Sequence, residues 1–340
     1  MSAEQAIWPP LPLAAWQDTY QTLHMYTQIV GKVRLAYSPM MNQWWQVPLY
    51  LTARGLTTSP IPYDHRTFEM EFDFFDHSLI IQTSDNKTRR IALGPSVKDF
   101  YREVMEALHV VGIEAHIWTQ PVEVPDPIPF EQDNRHASYD PCHAHRFWEI
   151  LKEVEIVFEE FRARFTGKCS PVHFFWGSFD LAVTRFSGRS APVSPDADLI
   201  THLAYNAELS SLGFWPGGRG IRGTIDGAAF YSYTYPEPAG FRDQRVRPEA
   251  AFYHDGLGEF LLRYDLIRLL DDPRSAILDF AQSTYEAGAR LQKWSLDQFD
   301  LRQEEVVAVK SHKPSAPISN MAASKAPNPE GSEQGTERTQ

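Results

Sequence analysis

The chain of 340 residues has only two cysteines, Cys142 and Cys169, no block of lysine and arginine, and no long apolar run. Two cysteines cannot make a multi-bridge framework, and residues 1–5 show neither the basic region nor the apolar stretch of a secretory leader. A reducing cytoplasm is the expected compartment. The most apolar stretches, around Ile80 and Val110, fall far short of the roughly 20 residues that span a bilayer, so no membrane partner is expected. Thirty-two basic against 44 acidic side chains give a net charge of −12 without a basic patch, which argues against nucleic acid. The sequence holds no GxxxxGK[ST] loop, no GxGxxG opening a helix after a strand and no GxSxG elbow. Nucleotide-cradling and serine-hydrolase chemistry therefore lack their signatures, and no cofactor is expected.

What is present is core material. Apolar residues make up 43% and aromatics 13%, ample surface to offset the entropy of ordering a chain. The length alone favours two domains or one large fold. Residues 311–340 are rich in Ser, Pro, Ala and Glu without an aromatic and read as a disordered tail. Its Lys313, Lys325 and Arg338 balance Glu330, Glu333 and Glu337, so the whole negative charge falls on the folded part. Prolines at 121, 125, 127 and 129 deny backbone donors to residues 121–135, which read as an extended strap between two halves.

Hydrophobic period and punctuation fill in the halves. Residues 1–120 read as a helix over 16–35, strands over 44–52, 68–75, 78–84 and 88–93, and a helix from the Ser96 cap to 111. Residues 136–300 read as a helix over 144–165, strands over 172–186, 208–214, 228–235 and 250–264, and a helix from the Asp272 cap to 294. Both halves thus run α, several β, α, and the fold class is α+β with antiparallel sheets. Collinear matches point to an internal duplication. Trp16 and Trp148 stand 132 apart, as do Ser38-Pro39 and Ser170-Pro171; Trp45 and Trp176, and Arg54 and Arg185, stand 131 apart. Asp99-Phe100 and Asp279-Phe280 stand 180 apart, which gives the second copy a 49-residue insertion within 186–277. Two such copies pack most simply about a pseudo-twofold, with a ligand cleft between them.

Candidate chemistry concentrates on the run from His173 to Arg185. Read as one strand, it puts Trp176, Ser178, Asp180, Ala182 and Thr184 on one face and His173, Phe175, Phe179, Leu181, Val183 and Arg185 on the other. Both faces are largely apolar, so Asp180 and Arg185 need a partner or a ligand. Arg54 sits in a similar apolar context, and two arginines near a pseudo-twofold suit a carboxylate or phosphate clamp, unless each pairs with an acid of its own half. His136, Asp140, Cys142, His143 and His145 invite a zinc reading, yet their spacing fits no established ligand pattern, and Asp140 before Pro141 reads as a helix cap. In the insertion, Tyr231, Tyr233 and Tyr235 share a strand face, either as a binding wall or as a packed sheet face. Glu208 opens its strand as a candidate base or arginine partner. Both cysteines read as bystanders, since neither has a local activating signature.

The runs 44–56, with Trp44-Trp45-Gln46-Val47-Pro48, and 170–182, with Val172-His173-Phe174-Phe175-Trp176-Gly177-Ser178, resemble a bacterial family catalogued only as domain of unknown function 5996. So do the strap and Gly213-Phe214-Trp215-Pro216-Gly217-Gly218. The resemblance covers residues 8–294 and implies no reaction, cofactor or site residue. The function expected from the residues is binding of an anionic small molecule between the halves by Arg54 and Arg185, with Trp45, Trp176, Tyr231 and Tyr233 as walls. His173, Asp180 or Glu208 would move protons in a cofactor-independent reaction. The alternative is a ligand-binding or sensory module with the same pocket and no turnover.

Overall fold

Helix starts follow local capping chemistry. The structure, a computed structural model, describes residues 7–220 and 223–300. The segment 311–340 lies outside the described residues. Helix α1 (Leu13–Tyr37) is followed by β1 (Tyr50–Leu51), β2 (Gly55–Thr57), β3 (Ile61–Tyr63), β4 (Arg66–Asp73), β5 (Ser78–Thr83), β6 (Thr88–Ala92) and α2 (Val97–Val110). The Ser96 side chain accepts from the Asp99 N–H and caps α2. After the strap come α3 (Pro141–Ala163), β7 (His173–Phe175), β8 (Asp180–Ser190), α4 (Leu199–Ala204), β9 (Ala207–Trp215), the ribbon of β10 (Gly218–Gly220) and β11 (Gly223–Ile225), and β12 (Ala229–Tyr235). The described residues end with β13 (Phe252–His254), β14 (Glu259–Arg263), α5 (Tyr264–Ile267), α6 (Pro273–Leu291) and α7 (Leu296–Phe299). Asp140 accepts from the Cys142 and His143 N–H groups and Asp272 from Ser275, each with proline at the first helical position.

Besides the two-stranded β10–β11 ribbon, the described strands form two antiparallel sheets in an α+β fold. The first runs β1-β2-β4-β5-β6 with β3 also on β4, and the second runs β13-β14-β12-β9-β8-β7. The edges β1 and β7 abut, because Leu49 and Phe174 exchange two backbone hydrogen bonds of 2.9 Å. One face of the second sheet lies under α3 and α6, and buried side chains from both halves form one continuous core. Each fully buried large apolar side chain in it contributes roughly 1.5–3 kcal/mol.

Three expected elements differ, the first being residues 250–264, which form the hairpin of β13 and β14 rather than one strand. Residues 44–52 begin as a short 3-10 turn (Asn42–Trp44), and only Tyr50–Leu51 pair as a strand. More consequentially, residues 172–186 are not one strand but a hairpin, with β7 and β8 joined through residues 176–179. The reversal is held by contacts remote in sequence. The Trp176 indole N–H donates to the Val47 carbonyl at 2.8 Å, and the His24 ring bonds the Gly177 carbonyl at 2.9 Å. Phe179 takes a positive φ of 62°. Helix α1 carries a glycine where the Trp176 ring lies, since a Cβ on Gly31 would fall 2.3 Å from that ring.

The strap crosses α1, where the buried Gln28 amide pairs with the Val122 backbone. Its Nε2 donates to the Val122 carbonyl at 2.7 Å, and its Oε1 accepts from the Val122 N–H at 2.9 Å. Proline-rich chain cannot satisfy itself, so a buried amide on the helix does so instead.

Candidate functional site

The hairpin decides which side chains share a face. His173 pairs with Ala182 and Phe175 with Asp180, so His173, Asp180, Ala182 and Thr184 all project from the side of the sheet away from α3 and α6. Tyr231 and Tyr233 of β12 join them through the register Ala182 to Gly213 to Tyr231. This face, with α1, the strap and α4, lines a half-open cavity of about 780 Å³. Trp45 and Trp176 also line it, so six of the nine residues singled out in the sequence meet there: His173, Asp180, Trp45, Trp176, Tyr231 and Tyr233.

The other three lie elsewhere. Arg185 has the opposite strand parity and is fully buried against the helices, with its guanidinium carbon 3.5 Å from the Phe161 ring centre and 4.4 Å from that of Tyr285. Arg54 is half exposed on the first sheet, where Asp73 at 2.7 Å and Asp76 at 3.2 Å neutralise it. Glu208 accepts from Ser187 and from Arg189, the latter at 2.6 Å. The expected arginine clamp and the Glu208 base are therefore corrected: strand parity and local ion pairs keep all three out of the cavity.

At the floor, the Asp180 carboxylate accepts from the Ser178 hydroxyl on one oxygen and the Tyr231 hydroxyl on the other. Tyr231 reaches it by lying flat across β9, because a Cβ on Gly213 would stand 2.1 Å from the ring. Burial, and then the Asp180 charge, raise the Tyr231 pKa well above the ordinary phenol value. Tyr20 on α1 is raised for the same two causes, with the Trp215 side chain partly opposing them. Tyr233 shares a hydrogen bond of 3.1 Å with the Tyr205 hydroxyl at the end of α4.

His173 is only 1% exposed, and neither ring nitrogen has a hydrogen-bond partner in the protein. Trp45, Tyr50 and Phe175 surround it edge to face at ring-centre distances of 5.4–6.0 Å. Burial, reinforced by the charges of Arg34 and Arg162, lowers its pKa to about 3. His24, stacked on Tyr20, is lowered to about 4 by burial. At neutral pH His24 and His173 are thus neutral imidazoles, and Tyr20 and Tyr231 are protonated phenols.

These shifts predict acid sensitivity. An unfolded histidine titrates near 6.5, so between pH 6.5 and the folded values the unfolded chain binds more protons. Stability is complete above pH 6.5 and falls as pH drops toward 4 and then 3. Between pH 7.5 and pH 5 each of the two histidines is expected to remove about 2 kcal/mol. Urea unfolding at both pH values should show His173→Phe losing correspondingly less than wild type, and an identical pH dependence in the two proteins would contradict the assignment.

Sequence reasoning gave no site role to Tyr20, His24, Tyr205, Trp215 or Glu259, all of which line the cavity. The available signal was His24 and Gln28, polar residues one turn apart on a mostly apolar helix. His136, which also lines the cavity, bonds Asp133 at 2.6 Å, and away from the cavity His145 bonds the Phe74 carbonyl at 3.1 Å. Among the described residues no group of three or more His, Cys, Asp or Glu side chains is placed to hold a metal ion. Nor, among them, is any helix long and apolar enough to cross a membrane.

The fold and cavity define an α+β protein with a half-open, aromatic-walled cleft. The chain belongs to the family of unknown function DUF5996, which matches residues 8–301. No curated protein and no solved structure matches it.

Proposed function

We propose that the chain is a small-molecule-binding protein and that the cavity between the second sheet, α1 and the strap is its site. The observation that carries this reading is the cavity itself, about 780 Å³ lined by Trp45, Trp176, Tyr231 and Tyr233 beside the buried Asp180 carboxylate. The cavity volume suits a metabolite-sized molecule. Recognition is favoured over acid–base turnover because the buried histidines are held far below, and Tyr20 and Tyr231 far above, the neutral range where proton transfer is efficient. The second reading, turnover in the same cavity, draws on the Tyr231–Asp180 hydrogen bond, which couples a hydroxyl to a buried carboxylate.

The same reading takes the two halves as copies of one unit, supported by their shared order of helix, antiparallel strands and helix. It places the protein in the cytoplasm, in keeping with its two free cysteines.

Native mass spectrometry of the purified protein tests the site. A small-molecule adduct that dissociates on denaturation is expected, and it should be absent from Thr184→Trp, which fills the cavity from the β8 wall, while circular dichroism stays unchanged. An adduct retained in Thr184→Trp would place binding elsewhere. No adduct, together with no thermal stabilisation by any member of a metabolite library, would remove the reading altogether. With the captured molecule in hand, turnover that disappears in Asp180→Asn would favour the enzyme.

A further inference from the structure

Resting on the binding reading above, we infer that the ligand of this cavity is an uncharged, flat aromatic molecule that stacks on the Tyr231–Tyr233 ring wall. The wall follows from strand register. Tyr231 and Tyr233 are alternate residues of β12 and oppose Gly213 and Ser211 of β9, both of them small. The Tyr231 ring lies across Gly213, where a Cβ would meet it at 2.1 Å, and so turns its other face to the cavity. The Tyr233 ring lies 17° from parallel to it, with centres 6.2 Å apart. Both residues are only half-buried, so ring surface stays open on the cavity side.

Charge and polarity point the same way, because the polar side chains around the wall are already engaged within the protein. Asp180 accepts from Ser178 and Tyr231, and Asp198 caps α4 through the Ile200 and Thr201 N–H groups. Arg135 donates to the Asp126 carbonyl at 3.1 Å, and Arg219 meets the Asp126 carboxylate at 3.5 Å. Glu123 and Glu259, like Asp180 and Tyr233, have further interactions of their own. The hydroxyls follow suit: Thr184 bonds Ser211 at 3.0 Å and Tyr233 bonds Tyr205 at 3.1 Å. A ligand charge would therefore lose water and find its candidate partners taken. An uncharged ring system loses little water and gains the ring surface.

The shape of the floor supplies an independent pointer. Beside the tyrosines, Ala182 pairs with Gly213 and Thr184 with Ser211, so four small side chains lie together on the cavity face of β8 and β9. Larger rings border this low patch, with Phe186 two residues beyond Thr184 on β8 and Trp215 two residues beyond Gly213 on β9. A low floor bordered by rings suits a flat molecule. Offset and edge-to-face contacts with those rings add to plain burial, so an aromatic ring gains more there than a saturated ring of the same size.

Four probes of similar size test the inference by isothermal titration at neutral pH: 2-naphthol (uncharged, aromatic), decahydro-2-naphthol (uncharged, saturated), 2-naphthoate (an anion) and 2-naphthylmethylammonium (a cation). 2-Naphthol is expected to bind at least about tenfold more tightly than either ion and at least about fivefold more tightly than the saturated alcohol. In Tyr233→Leu the advantage over the saturated alcohol should fall below about threefold, and the comparison on the wild-type chain decides by itself should that variant fold poorly. Equal or tighter binding of an ion would overturn the uncharged ligand, and equal or tighter binding of the saturated alcohol would overturn the aromatic one. In either case a probe that binds wild type but not Thr184→Trp leaves the cavity as a binding site. Binding of none of the four at millimolar concentration would also overturn the inference, with the native mass spectrum deciding separately on the cavity.

Discussion

Replacing Arg185 with alanine is expected to destabilise the protein by about 3–5 kcal/mol, whereas methionine at the same place should change stability by less than about 1.5 kcal/mol. The guanidinium is fully buried, and its Nη2 donates to the Phe161 carbonyl. Its Nε and Nη1 have no hydrogen-bond partner, and Phe161, Phe165 and Tyr285 enclose it at 3.5–5.0 Å. Burial lowers its pKa to about 10, so it stays charged at neutral pH. Two large terms therefore oppose each other: a cation–π attraction of about 2 kcal/mol or more when desolvated, and the desolvation of a charge that makes one hydrogen bond. They roughly cancel, which leaves volume as the deciding term. Alanine opens a cavity among aromatic rings that cannot collapse, while methionine fills it without a charge to desolvate. Urea unfolding of the two variants measures the difference. Because Arg185 lies on the far side of the sheet from the cavity, adduct capture should be unchanged in Arg185→Met. Equal destabilisation by the two substitutions would show that the charge, not the volume, dominates, and loss of the adduct in Arg185→Met would return the arginine to the ligand.

Arg185 also illustrates what a sequence can and cannot disclose. A charge in a strand with apolar neighbours on both faces must be buried and must be accommodated, and that much was legible. Its partners were not, because they are rings from α3 and α6, brought over the strand only by packing of the whole second half. Helix starts were legible because Ser96, Asp140 and Asp272 act on backbone within three residues. The β7–β8 reversal was not. Residues 176–179 lack the Asn-Gly or Asp-Gly pair that announces a tight hairpin, and the turn depends on Gly31, Val47 and His24. An alternating pattern read through that turn puts His173 with Arg185 and apart from Asp180. Folding back at the turn reverses this, joining His173 to Asp180 and sending Arg185 to the opposite side. One unrecognised turn thus moved the expected site from a pair of arginines to an imidazole, a carboxylate and two phenols. The aromatic wall survived the change because Tyr231 and Tyr233 share a face on any strand that contains both.

The arrangement at the cavity floor depends on a side chain that is absent, and Gly213→Ala is expected to disrupt ligand capture as strongly as loss of Asp180. The Tyr231 ring crosses β9 at Gly213, and a methyl there would stand 2.1 Å from the ring and 2.3 Å from its oxygen. No small rotation relieves such an overlap while the hydroxyl still reaches Asp180 from the neighbouring β12. The ring must swing into the cavity. Asp180 then loses one of its two hydroxyl donors at a site only 5% exposed, and the space the ligand needs is filled. Overpacking of this kind costs about 1–3 kcal/mol, and loss of a charge-assisted hydrogen bond adds roughly another 1.5–3 kcal/mol. Tyr231→Phe separates the contributions, since it removes the hydroxyl and keeps the ring in place. It should carry the hydrogen-bond loss alone and retain part of the ligand affinity. In the double variant Gly213→Ala with Tyr231→Ala, the overlap disappears, so stability should recover relative to Gly213→Ala, although the ring wall and its ligand do not. Thermal melting and adduct capture across these variants form a double-mutant cycle; strict additivity of Gly213→Ala and Tyr231→Ala would mean that the two residues do not depend on each other and that the glycine is not there for the ring.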